Sequence, residues 1–124
     1  MRRELLYCMS MNILVTGGAG FIGSNFVHYL REHYPDYRII VVDKLNQQGN
    51  IENLAGVKDD IEFHQFDLIE EQKLLPIFEK GIDYVAHFAA ETNVDRSIED
   101  PDSFVNSNVL ATNTLLRLSR DHGV

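Results

Sequence analysis

One cysteine, Cys8, stands alone in the 124 residues. No intrachain disulfide can form, so a stapled secreted scaffold is excluded and a reducing, cytoplasmic setting fits better. Basic residues are scarce. Eleven Lys and Arg face nineteen Asp and Glu, for a formal charge of −8. That surface argues against sequence-independent nucleic-acid binding, which neutralises phosphates with cations, and against an anionic membrane surface. No apolar run approaches the roughly 18–20 residues of a membrane span. The start, Met-Arg-Arg-Glu-Leu-Leu-Tyr-Cys-Met-Ser, lacks the long apolar core of a signal peptide. Prolines number three, with no Pro-, Gly- or Ser-rich linker and no internal repeat, so one domain is expected rather than two. With 44% apolar and 24% charged residues, the composition is that of a folded globular domain.

Residues 1–10 differ in pattern from the rest of the chain, and Met9 and Met11 are alternative starts. They read as a disordered tail or start-site extension, ahead of a domain over 11–124. From residue 12 apolar runs alternate with amphipathic stretches. Asn12–Thr16, Arg38–Asp43, Ile61–Phe66 and Asp83–Phe88 read as strands. Phe21–His33 and Glu70–Glu79 read as helices, the second despite Pro76, and Ser103–Arg120 as one long helix opened by Asp100-Pro101. A short helix is possible at Ile51–Leu54. Strand and helix in alternation imply a doubly wound parallel sheet of the Rossmann type, in the order 3-2-1-4.

The most informative stretch is Gly17-Gly18-Ala19-Gly20-Phe21-Ile22-Gly23. It contains G-x-G-x-x-G at positions 18, 20 and 23, and G-x-x-G-x-x-G at 17, 20 and 23. It follows a strand, opens a helix, and precedes an acidic residue, Asp43, by 20 positions. That combination is a dinucleotide-binding fingerprint. A Cβ in the turn would hold the backbone away from a pyrophosphate, whose charge the first amides of the helix attract. The Asp43 carboxylate can accept from ribose hydroxyls and repels a 2′-phosphate, which favours NAD over NADP. Asp67 either contacts the adenine from its strand end or caps the next helix. His87, inside an apolar strand, reads as a packed core histidine. Glu91, Asp95 and Glu99 do not form a metal site. Asp95 and Arg96 read as a local ion pair or loop anchor, and Glu99, Asp100 and Asp102 as charges favouring a helix N-terminus.

The run from Asn12 through Asn25 resembles the opening of extended short-chain dehydrogenases/reductases. Asp43-Lys44-Leu45, Gly49-Asn50, Glu52-Asn53-Leu54 and His87-Phe88-Ala89-Ala90-Glu91-Thr92-Asn93-Val94-Asp95-Arg96-Ser97-Ile98 are similar to the branch that dehydrates dTDP-glucose. The resemblance spans about residues 11–122. It implies that Gly17, Gly20, Phe21, Ile22 and Gly23 follow the pyrophosphate of NAD. It places Asp43, Lys44, Leu45 and Asn46 around the adenosine, and Asp67 and Leu68 beside the adenine. Phe88, Ala89, Ala90, Glu91 and Thr92 then run beneath the cofactor, with Thr92 also facing the sugar nucleotide. Ser107 takes a position where the family usually has Thr. The implied chemistry is oxidation of the glucose C4 by NAD⁺, loss of water across C5–C6 and return of the hydride to C6, in a homodimer. Asn46-Gln47-Gln48, Asn93, Ala111 and Asn113 depart from the family pattern.

The resemblance also implies a catalytic Tyr-x-x-x-Lys pair downstream. None of Tyr7, Tyr29, Tyr34, Tyr37 or Tyr84 has Lys four positions later. The chain is therefore expected to be the N-terminal portion of a longer enzyme, with no catalytic residue of its own, its sheet truncated at about four strands. Another sugar-nucleotide epimerase or dehydratase, a non-catalytic NAD-binding module, and a subunit completed by a separate chain are the alternatives.

Overall fold

The computed structural model describes residues 10–124. Of the expected tail, residues 1–9 lie outside that range. Ser10 is within it and donates to the Asp36 carbonyl at 2.7 Å.

Four parallel strands, β1 (Asn12–Thr16), β2 (Arg38–Asp43), β3 (Glu62–Gln65) and β4 (Tyr84–His87), lie in the order β3-β2-β1-β4. Strand alternation sorts their apolar residues onto two faces. Ile13, Val15, Ile39 and Val41 pack with Val27 and Leu30 of α1 (Phe21–His33) and with Leu54 and Val57. Leu14, Ile40 and Val42 pack on the other face with Leu74, Ile77 and Phe78 of α2 (Glu71–Glu79) and with Leu115 and Leu118. Both faces are covered, which is why β1 and β2 are apolar without interruption.

Two elements differ from the sequence reading. A helix α3 (Val94–Glu99) precedes the long one. Its six residues carry only Val94 and Ile98 as large apolar groups, both exposed, so no buried stripe announces it. Asn93 caps it by accepting from the Arg96 amide at 3.1 Å. The long helix is three pieces: α4 (Pro101–Val105), a π-helical segment (Asn106–Leu110) and α5 (Ala111–Asp121). The wider turn inserts an extra residue, so one 3.6-residue period does not run through it. Asp100 caps α4 through the Ser103 amide at 3.3 Å, with Pro101 in the first turn.

β4 is an edge strand, with Tyr84 59% exposed and a groove of about 390 Å³ beside it lined by Val85, Leu115 and Leu116. A bare apolar edge templates strand addition. The isolated 124-residue chain is expected to self-associate, with sedimentation coefficients that rise with concentration. A monomer with one sharp unfolding transition would contradict this.

Candidate functional site: a glycine-floored cavity at the strand ends

β1 ends at Thr16 and the chain turns at once into α1. Gly17 has φ +66°, and a Cβ there would lie 2.5 Å from the Ala89 amide nitrogen and 2.8 Å from the Phe88 carbonyl carbon. A Cβ on Gly23 would strike the Gly17 carbonyl oxygen, and one on Gly20 would meet that oxygen at 3.3 Å. Gly18 plays another part: its absent Cβ leaves room for the Val41 side chain, 2.5 Å from where that atom would sit. Of the two overlapping patterns, the 17-20-23 triplet therefore faces the cavity and Gly18 packs on the sheet. Gly20 caps α1 without a side chain, so the first-turn amides have no acceptor within the helix and point outward.

The cavity holds about 520 Å³, within the range of small-ligand sites. It opens at the carboxyl ends of the strands, where ligands bind in open α/β sheets. Gly17, Gly20, Phe21, Ile22 and Gly23 form one wall. Asp43, Lys44, Asn46, Asp67 and Leu68 form the second, and Phe88, Ala89, Ala90, Thr92 and Ser107 the third. Phe21 and Ile22 are 83% and 67% exposed at its mouth. Two of the expected cofactor residues, Leu45 and Glu91, are not among the lining residues. Leu45 has φ +53° and turns its side chain toward the α1-side core. Glu91 is buried behind the wall. Val42, Phe66, Gln48 and Gly49 line the cavity although the sequence reading does not name them as cofactor residues. Val42 and Phe66 each precede a strand-end Asp, a position that could have marked them.

Asp43 is buried, and both carboxylate oxygens are engaged. Oδ2 accepts from the Ala19 amide at 3.0 Å and Oδ1 from the Leu45 amide at 2.8 Å. Its negative charge is thus anchored against the glycine turn. The loop after β2 is fastened to the same turn, because the Asn50 amide and the Asn53 side chain both donate to the Ala19 carbonyl, at 3.0 and 2.8 Å. Asp67 does not cap α2; Glu70 stands at that position. Its Oδ1 accepts from the Ile69 amide at 3.2 Å, and its Oδ2 lies 3.8 Å from Lys44 Nζ. Arg96 pairs with Glu91 at 3.6 Å rather than with Asp95, since the start of α3 aims it back at the β4 loop. Among the described residues no group of three His, Cys, Asp or Glu side chains is placed to hold a metal, and no helix is long and apolar enough to cross a membrane.

The sequence matches the NAD dependent epimerase/dehydratase family over residues 13–124. The chain belongs to that family. The chain is similar to a Mycobacterium tuberculosis dTDP-glucose 4,6-dehydratase, 43% identical over 92% of this chain and 34% of that protein's length. Among solved structures, the Streptomyces venezuelae dTDP-glucose 4,6-dehydratase with NAD bound is 46% identical, with a TM-score of 0.82 over 92% of this chain and 37% of its own. A Thermotoga maritima UDP-glucose 4-epimerase with UDP-glucose is 39% identical, with a TM-score of 0.84 over 92% of this chain and 35% of its own. The chain spans about a third of the length of the curated relatives it matches. The dehydratase and the epimerase match this fold about equally well, so backbone similarity alone does not separate them.

His87 is half-buried at the end of β4 and lines the groove beside that strand, not the glycine-floored cavity. Thr112 Oγ1 donates to the Asn108 carbonyl at 2.9 Å and is 2.8 Å from His87 Nε2, while Thr16 Oγ1 lies 2.6 Å from Nδ1. Nε2 then carries the hydrogen and Nδ1 accepts from Thr16, a neutral imidazole. Burial holds its pKa below the ordinary 6.5. The unfolded chain therefore takes up a proton first as pH falls. The His87 contribution to stability is complete above about pH 6.5 and is lost below it, through the lowered folded-state value. The melting temperature is expected to drop from pH 7.5 to 5.5, and the drop to shrink in His87→Gln. Equal slopes for the two proteins would contradict this.

Proposed function

We propose that this chain is the NAD-binding portion of an enzyme that converts dTDP-glucose to its 4-keto-6-deoxy product. The observation that carries the cofactor reading is the tight glycine turn. A Cβ at Gly17 or Gly23 would strike backbone, so only glycine lets the turn close at the amino end of α1, where Gly17, Gly20 and Gly23 line the cavity. An anion is favoured there by the helix dipole and the outward amides. Asp43 disfavours a second phosphate on the ribose. The residues present fit NAD in volume, charge and donors. When bound, NAD⁺ supplies reversible hydride acceptance at the sugar C4. Gly17, Gly20, Gly23, Phe21 and Ile22 would hold the pyrophosphate, Asp43, Lys44 and Asn46 the adenosine, and Asp67 and Leu68 the adenine. Phe88, Ala89, Ala90 and Ser107 would line the reactive half. Thr92, exposed at the rim with its hydroxyl 3.4 Å from Gln48 Oε1, would reach the sugar nucleotide.

These residues bind and orient. Proton transfer at the sugar requires a base that no tyrosine of this chain supplies in a Tyr-x-x-x-Lys pair. The dehydratase reading over the epimerase one rests on the relatives' identities, and on the His87–Ile98 segment similar to that branch. A homodimer is part of the proposal. Val105, Val109, Leu110 and Leu116 lie exposed on one continuous helical stretch, as an unpartnered interface would.

The test is product analysis with the whole protein and dTDP-glucose. Formation of dTDP-4-keto-6-deoxyglucose supports the proposal. Formation of dTDP-galactose, with no loss of water, would replace it with the epimerase reading.

A further inference from the structure

Glu91 is 4% exposed, and its carboxylate is the meeting point of three segments. Oε1 accepts from Asn46 Nδ2 at 2.5 Å and lies 3.2 Å from Lys44 Nζ, both in the loop after β2. Oε2 lies 3.6 Å from Arg96 Nη1 of α3 and has no hydrogen-bond partner among the described residues. The Glu91 backbone is itself locked. Its amide donates to Asn108 Oδ1 at 2.8 Å, and its carbonyl accepts from Asn108 Nδ2 at 2.9 Å. Lys44 also donates to Ser107 Oγ at 2.8 Å. Lys44, Asn46 and Ser107 all line the cavity; Glu91 does not.

We propose that Glu91 is a positioning residue that acts on the cofactor only through Lys44 and Asn46. A carboxylate this deeply buried is tolerated only with paired cations. Its pairs are two of the side chains that face the cavity and one on α3. The clamp ties the loop after β2 to the loop after β4, the two walls between which a dinucleotide would lie. It also occupies the Lys44 ammonium with Glu91, Asp67 and Ser107, so this cation beside Asp43 is not free to receive a ribose phosphate. The inference about cofactor binding rests on the NAD reading above; the clamp itself does not.

Two readouts separate them. The first is acylation of lysines by acetic anhydride, followed by mass spectrometry of the full chain without cofactor. Lys44 is expected to react more slowly than Lys58 and Lys80, and Glu91→Gln to speed Lys44 alone by several-fold. Equal rates at the three lysines of the unsubstituted protein would overturn the clamp, and so would an unchanged Lys44 rate in E91Q. The second is NAD titration in a cycle that removes both partners. E91Q is expected to weaken NAD about tenfold, and K44M/N46A/E91Q to bind within about twofold of K44M/N46A, as for groups that act in one chain. Losses that multiply would mean that Glu91 touches the cofactor itself. A lowered melting temperature with unchanged NAD affinity would mean that it only supports the fold. Should E91Q not fold, Glu91→Asp keeps the charge and shortens its reach, and the same shifts are expected in smaller measure. Slow Lys44 acylation, relieved in E91Q, in a protein that takes up no NAD would leave the clamp standing and remove the cofactor reading.

Discussion

Gly17→Ala is expected to abolish NAD binding and to destabilise the protein by about 2–5 kcal/mol. Part of that comes from a left-handed backbone that a Cβ disfavours, roughly 1–2 kcal/mol. The rest is overpacking, on the order of 1–3 kcal/mol, because the new atom meets the backbone of Phe88 and Ala89, which no rotamer change can move aside. The affinity loss follows from the same collision: the loop after β4 is displaced from the cavity floor. Gly81→Ala is the matched control. Gly81 has φ +91° with nothing within 4 Å of a Cβ, so only the backbone cost of roughly 1–2 kcal/mol is expected, with NAD binding intact. Melting curves and NAD titrations of both variants check this. Equal effects from the two glycines would show that crowding at Gly17 is not what matters.

Asp43→Asn is expected to weaken NAD by about 10- to 100-fold, since hydrogen bonds to a charged acceptor contribute about 1.5–3 kcal/mol. NADP should lose less than NAD, or gain, because the repulsion of a 2′-phosphate is removed. The fold should survive, for the amide oxygen can still accept from one of the Ala19 and Leu45 amides. Asp43→Ala leaves both buried donors unmet and should cost about 1–3 kcal/mol of stability as well. Competition titrations with the two cofactors measure the ratio. An unchanged NAD-to-NADP ratio in D43N would show that Asp43 only staples the glycine turn.

Much of this architecture is legible in the amino-acid sequence, for identifiable reasons. The four strands and the first two helices show in runs of apolar residues long enough to carry a period, and the strand order follows from short right-handed crossovers. The glycine turn is legible as a ligand site because strand, turn, helix and acid occur at fixed spacing. Spacing alone does not say which glycines face the cavity, since the two patterns share Gly20 and Gly23; the resemblance selects Gly17 over Gly18, and in the structure Gly17 lines the cavity while Val41 approaches Gly18. Resemblance places Glu91 beneath the cofactor, and its burial is hidden because its partners lie 45 and 47 positions earlier and 5 later. Sequence proximity assigns Arg96 to Asp95 for the same reason, and the fold gives it to Glu91 instead. The π-helical segment is unreadable because its residues look helical; only the hydrogen-bond pattern is shifted.

The glycine-floored cavity is proposed to take NAD. Isothermal titration of the chain with NAD and with NADP tests it most directly. One NAD per chain, bound at least tenfold more tightly than NADP, is the expected result. No uptake of either cofactor by a chain shown to be folded, or a preference for NADP, would contradict it.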